Sequence, residues 1–204
     1  MRRQSEYTGI VYNFNTGHPA ETTPNGNIQQ NQVGNNPFLS TLPGDGNGQT
    51  LVTMGPCAGN TPHTHPRGSE ISFLLYGQIS FGMVEENANG NQLIIRNMTQ
   101  NTTFHVPQGV LHFSHNLDCK PAAFLANFAT KDPGTQTMWN SLLQVPTAAL
   151  NAATGLSEVN IEQLKSLPLV IAPGTGGEEC MKRCGLDFQK SNNFTTVPAP
   201  NTLI

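Results

Sequence analysis

Charge is scarce in this chain. Its 204 residues carry 10 Lys and Arg against 13 Asp and Glu, 11% in all, for a formal net charge of -3. With no basic excess and no interleaving of basic and aromatic residues, nucleic acid is not an expected partner. The weak surface field also offers little steering toward polyanions or acidic membranes. Nowhere do 18 apolar residues run together, so no membrane-spanning helix is expected. The opening stretch MRRQSEYTGIVYNFNTG lacks the apolar core of an export signal. No internal repeat appears. In place of these features stands turn chemistry, 20 Gly and 15 Pro in a chain that is 36% hydrophobic. That profile favours one turn-rich β domain over a helical or disordered chain.

Strand character recurs at residues 50–53, 69–76, 78–85, 92–98, 102–106, 110–114 and 122–128. The stretches are punctuated by Gly77, a polar turn at 87–91 and the turn Pro107-Gln108-Gly109. Six or more short strands with little helix between them predict an all-β sandwich or jelly-roll barrel. Residues 1–50 read as an N-terminal arm, with extended candidates at 10–14 and 33–42. Residues 16–36 are polar enough for a surface arm, and His18 within them is read as exposed and idle. After Pro133-Gly134 the periodicity changes. Thr137, Trp139, Leu142, Leu143 and Val145 predict a short helix, and residues 147–153 predict a second, closed by Gly155. Residues 158–167 predict a third, with Ser157 as N-cap and Val159, Ile161, Leu164 and Leu167 as its apolar stripe. The expected organisation is therefore an arm (1–50), a barrel core (51–130), a helical extension of the same domain (131–170) and an irregular tail (171–204).

The chemistry concentrates in two segments, GNTPHTHPRGSEISFLLYG at 59–77 and PQGVLHFSHN at 107–116. Side chains two apart on a strand leave the same face, so His63 and His65 can reach one ion together. Glu70 has the wrong parity for a straight strand, but Pro66, Arg67 and Gly68 can turn the chain before it. His112, just after the Pro-x-Gly turn, would join them from a neighbouring strand. Three imidazoles and a carboxylate suit Mn, Fe, Ni or Zn rather than calcium or magnesium, and they leave positions open on an octahedral ion. Ser114 and Asn116 share the face of His112, whereas Phe113 and His115 point away. His105, across the turn, reads as a strand or rim residue. Phe73, Leu75, Phe81, Met83, Phe104 and Phe124 read as barrel filling, with a share in lining the cavity open to each.

These residues carry a resemblance. His63 to Gly77 is similar to the cupin pattern HxHxxxxExxxxxxG, and Pro107 to Asn116 to PxGxxHxxxN. The wording PHTHPRGSE resembles the germin-like and spherulin-like branch, including its fungal and slime-mould members. The resemblance implies a cupin jelly-roll β-barrel with C-terminal helices that pack against another subunit, hence a homodimer or homohexamer. It implies His63, His65, Glu70 and His112 as metal ligands, with manganese as the ion. Asn60 matches an active-site asparagine of the germin oxalate oxidases, so Asn60 and Glu70 stand as the catalytic candidates. Residues 59–62 also suit a simple turn for Asn60. A second pocket asparagine of those oxidases falls on Thr50, whose hydroxyl cannot reproduce two amide donors.

The function implied is a secreted metal-dependent oxidoreductase acting on a small carboxylate such as oxalate with dioxygen. Superoxide dismutation, a fungal tailoring activity on a larger metabolite, and a non-catalytic spherulin-like wall or storage role stand as alternatives.

Four cysteines, Cys57, Cys119, Cys180 and Cys184, allow three pairings. A shared metal would set the flanks of the two segments side by side, which favours Cys57 with Cys119 and leaves Cys180 with Cys184. Acceptor patterns for N-glycosylation begin at Asn97, Asn101 and Asn193. With paired cysteines they point to an extracellular protein. Either an export signal has been removed or the protein is not exported by that route.

Overall fold

A computed structural model describes residues 12–15, 19–42, 44, 46–167, 173–174 and 176–187. His18, part of the 10–14 strand candidate and the Asn193 acceptor pattern lie outside the described residues. Two antiparallel sheets form the body. The six-stranded sheet runs, in spatial order, β1 (Pro19–Thr23), β2 (Gly26–Asn31), β3 (Gly48–Met54), β10 (Ala122–Phe128), β5 (Glu70–Tyr76) and β8 (Thr103–Val106). The five-stranded sheet runs β11 (Gln136–Thr137), β4 (Gly59–Thr64), β9 (Leu111–His115), β6 (Gln78–Val84) and β7 (Leu93–Thr99).

The jelly-roll barrel expected from the sequence is not what forms, because the sheets are not closed onto each other. Among the described residues no ladder joins them, and each ends in its own edge strands. The seams are too short to zip: β11 has two residues and β8 has four. Between β7 and β8 the chain turns through Asn101 at φ 66, and Asn101 N–H donates to the Leu74 carbonyl at 3.0 Å instead of extending a β7 to β8 ladder. Face-to-face packing of two open sheets buries the same inner faces without closure.

The core between the sheets takes Val52, Met54, Leu74, Phe104, Phe124 and Phe128 from one side and Ile79, Phe81 and Met98 from the other. Phe81 and Phe104 stack across the gap with centroids 3.8 Å apart. Each such side chain contributes roughly 1.5–3 kcal/mol on burial. Strand parity corrects one sequence expectation. With Glu70 facing inward, the period of two turns Ser72 and Leu74 inward as well, leaving Phe73 and Leu75 half-buried on the other face.

The polar segment read as an arm is partly a hairpin. β1 and β2 pair around the two-residue turn Pro24-Asn25, with Thr23 opposite Gly26, and β2 continues the sheet against β3. Pro followed by Asn between two extended runs is ordinary turn chemistry, here masked by the polarity of the flanks. The strand candidate at 33–42 instead contains a 3-10 helix, Pro37–Thr41.

The three expected helices form as α1 (Met138–Gln144), α2 (Thr147–Thr154) and α3 (Glu158–Lys165). Gly155 closes α2 at φ 71, and the Ser157 hydroxyl accepts from Asn160 N–H to cap α3. Of the α3 stripe only Ile161 is buried; Val159, 68% exposed, Leu164 and Leu167 face outward. A fourth helix, α4 (Glu178–Arg183), occupies the tail expected to be irregular. Glu178 and Glu179 in its first turn and Lys182 and Arg183 in its last complement the helix dipole, a signal present in the sequence.

α4 also overturns the expected disulfides. The bridges are Cys57–Cys180 and Cys119–Cys184. Cys180 and Cys184 stand four apart on and just beyond one helix, so their side chains share a face and each reaches a different loop. The loops do lie together, Cys57 N–H donating to the Asp118 carbonyl at 3.1 Å. It is the helix docked across them that takes both sulfurs.

Candidate metal centre

β4 and β9 pair so that His63 stands directly opposite His112. His65 follows one residue beyond the end of β4, and the chain then turns through Arg67 and Gly68 to present Glu70 at the start of the adjacent sheet. That turn is held by Arg67 N–H donating to the Pro133 carbonyl at 3.0 Å, and by the Arg67–Asp132 ion pair at 2.7 Å. The two sheets thereby bring together all four residues expected to bind metal. Their ligand atoms lie within 4.8 Å of one another, and the side chains are only 3–5% exposed.

Each imidazole is oriented from behind by a backbone carbonyl. His63 Nδ1–H donates to Thr61 at 2.7 Å, His65 Nδ1–H to Gly134 at 2.6 Å, and His112 Nδ1–H to Val110 at 2.9 Å. With the proton on Nδ1, every Nε2 lone pair is free to point at a common centre. Gly134 can present its carbonyl because it sits at φ 65 under the Arg67 guanidinium, where a Cβ would come within 2.8 Å. Glu70 is held by the Ser72 hydroxyl, which donates to Oε1, leaving Oε2 toward the imidazoles.

A cation fits this arrangement for a reason internal to it. Oε2 of Glu70 lies 3.1 Å from His65 Nε2 and 3.3 Å from His112 Nε2. With both Nδ1 atoms protonated, those approaches set lone pairs against lone pairs. His112 Nε2 is accordingly buried with no hydrogen-bond partner. A divalent ion among the four ligands satisfies all of them at once.

Burial, followed by the proximity of His112 and His65, pushes the His63 imidazole down from 6.5 to about 3, so it stays neutral and able to donate at physiological pH. Burial alone would raise the Glu70 carboxyl. In the absence of an ion, hydrogen bonds from His112 and His65 and their charge, when these rings carry a second proton on Nε2, more than offset it and hold the group well below the usual carboxylate range.

The cluster stands in the wall of a cavity of about 80 Å³. Phe81, Phe104, Phe124 and Phe128 form much of the apolar lining, and Asn60, Ser114, Thr50 and Gln30 the polar part. Of the residues read as filling, Phe81, Phe104 and Phe124 reach the cavity. Asn60 pairs with Ser114 across β4 and β9, and the Ser114 hydroxyl, in a residue 2% exposed, has no partner.

The other candidates have different roles. Asn116 is a turn organiser: its amide donates to the Gly55 and Lys120 carbonyls at 2.8 and 2.7 Å, and its oxygen accepts from Asp118 N–H at 3.0 Å. His115 packs over Gly59, outside the metal cluster, where burial lowers its pKa. His105 is exposed on β8. Two further groups support the centre. Ser72 shares the face of Glu70 by simple parity, whereas the Gly134 carbonyl, 69 residues from His65, left no local trace.

The model of the Cupin family matches residues 12–162. Spherulin-1A of Physarum polycephalum is 37% identical over 131 residues, which cover 63% of this chain and 52% of that protein. Oxalate oxidase 2 of Hordeum vulgare is 31% identical over 150 residues, 71% of this chain and 66% of that protein. A solved structure of oxalate oxidase in complex with the substrate analogue glycolate superposes with a TM-score of 0.71 at 27% identity, covering 81% of this chain and 84% of that one. The chain spans about half the length of the spherulins it matches.

Proposed function

The chain belongs to the cupin family, in its germin-like and spherulin-like group, and on that premise we propose that it is a metal-dependent oxidoreductase acting on a small carboxylate. The observation that carries this reading is the convergence of three carbonyl-oriented imidazoles and Glu70 on one point in the wall of a small cavity. Nε2 of His63, His65 and His112 with Oε2 of Glu70 would hold the ion, and manganese is the ion we propose. When bound, the ion supplies Lewis-acid and redox chemistry.

The protein's own contribution is position and exclusion. The Asn60 amide is placed to donate to a substrate carboxylate oxygen, and the Ser114 hydroxyl opposite it offers a second donor. Ser72 keeps Glu70 from turning away, and the four phenylalanines keep bulk water from the reacting end. With oxalate the balanced reaction would convert the dianion, one dioxygen and two protons into two carbon dioxide and one hydrogen peroxide. A cavity of about 80 Å³ suits a ligand of a few non-hydrogen atoms and gives no support to a tailoring role on a large metabolite.

The two disulfides fit an oxidising compartment, and we place the protein outside the cell. Asn97 and Asn101 are exposed, as glycan acceptors must be. No helix among the described residues is long and apolar enough to cross a membrane. The outward face of Leu142, Val159, Leu164 and Leu167 suits a second copy of the chain, as a homodimer or within a homohexamer.

Metal analysis of the purified protein followed by oxygen uptake with oxalate tests the reading. The expected result is about one ion per chain and oxalate-dependent uptake with peroxide release. Fully metallated protein that neither binds nor oxidises any small carboxylate would overturn it.

A further inference from the structure

β2 adds a group to the cavity that the metal centre does not use. Side chains two apart on a strand leave the same face, and Ile28 and Gln30 both line the cavity. Gln32, just past the strand end, is buried beside it and donates from Nε2 to the Thr50 hydroxyl at 3.1 Å. Gln30 stands opposite Thr50 in the β2 to β3 register. Its backbone carbonyl is held by the Tyr12 hydroxyl at 2.7 Å, yet its side-chain amide makes no hydrogen bond among the described residues. On the other face of the same strands amides pair with one another: Asn31 donates to Gln49, and Gln49 to Asn127. A half-buried amide that faces a cavity, with no partner among the described residues, is free to serve a ligand.

We propose that Gln30 is a substrate-positioning residue: its amide donates to the carboxylate end remote from the ion, beside a Thr50 hydroxyl that accepts from Gln32 and keeps its own proton to donate. The six-stranded sheet would thus read one end of the ligand while the metal centre holds the other. This inference rests on the small-carboxylate reading above.

Calorimetric titration of manganese-loaded protein with oxalate tests it without relying on turnover. Gln30→Leu should weaken oxalate binding by about tenfold, the value of a hydrogen bond to a charged acceptor. Gln30→Glu, which sets a carboxylate against the anion, should weaken it further. Metal content and melting temperature should stay unchanged in both, which a merely structural role would not permit. Thr50→Val and Gln32→Leu should each weaken binding, and the double variant no more than the worse of the two, since both act through one hydroxyl. If Gln30→Leu fails to load metal, Gln30→Asn, which withdraws the same amide by one methylene, takes its place with the same expectation. Wild-type affinity in the Gln30 variants overturns the proposal while leaving the carboxylate reading intact. Absence of binding by the wild type, with oxalate or any other small carboxylate, overturns that reading and the inference with it.

Discussion

The metal centre and the disulfide-linked α4 are both small clusters tied together across the sequence, but they are built by opposite means. The centre draws its ligands from residues 63 to 112 and sets them by strand parity and register, with carbonyl contacts behind each ring. α4 has six residues and is tied to the body by two covalent bridges with sequence separations of 123 and 65. The first cluster depends on polar groups that must all be satisfied at once. The second is held covalently as well as by packing, with Met181 and Cys180 buried against Cys57. Perturbing one should therefore leave the other largely untouched.

The sharpest break is Glu70→Ala, which removes the only anionic ligand and leaves three inward lone pairs without a counter-charge. Metal content should fall by more than about a hundredfold in affinity and any metal-dependent activity should go with it, while the disulfides and the circular-dichroism spectrum persist. Retained stoichiometric metal would refute the coordination scheme. On the other side, replacing Cys57 and Cys180 together by Ser should cost about 2–5 kcal/mol in denaturant unfolding yet leave metal stoichiometry unchanged. Loss of metal in that variant would show that the clamp, through Gly59 and its mutual backbone bonds with Gly174, also holds the Asn60 end of β4.

A finer test is Ser72→Ala, which frees Glu70 Oε1. Metal affinity should drop by about 10–100-fold, the usual effect of removing a group that orients a ligand, measured by competition with a chelator. An unchanged affinity would mean that Glu70 is positioned by its backbone alone. The broadest test is in pH. His63 has a folded pKa of about 3 against 6.5 unfolded, so between those values the unfolded chain binds the extra proton. Stability of the metal-free protein is then fully present above about pH 6.5 and declines as pH falls toward 3. Glu70, also held below its ordinary 4.5, adds a loss of the same sign at lower pH. Thermal melts in chelator should show this decline, and it should flatten in His63→Gln. A melting temperature that rises on acidification would contradict the assignment.

The same contrast explains what could be read in advance. His63 and His65 were legible because a period of two is a local rule, and His112 because a Pro-x-Gly turn announces a strand start. Ser72 obeys the same rule, and by that rule an inward Glu70 turns Phe73 and Leu75 aside from the core. The Pro24-Asn25 hairpin turn and the charge pattern of α4 are likewise written locally, but polar flanks disguise the first and shortness the second. The Cys57–Cys180 and Cys119–Cys184 bridges were a different matter. Neighbouring loops favoured Cys57 with Cys119, and nothing near either residue reveals that a helix more than sixty residues beyond Cys119 will lie across both.

By itself the sequence determined the strands of the two-sheet core from β5 to β10, the three-helix extension and the inward placement of the four candidate ligands, because parity, capping and turn chemistry act over a few residues. Only the tertiary structure decided that the sheets stay open, that the Gly134 carbonyl steadies His65, that Gln30 lines the cavity, and which sulfurs meet. Those outcomes depend on distances between segments far apart in the chain, and the balance of edge length, loop path and docking that sets such distances exists only once the sheets have packed.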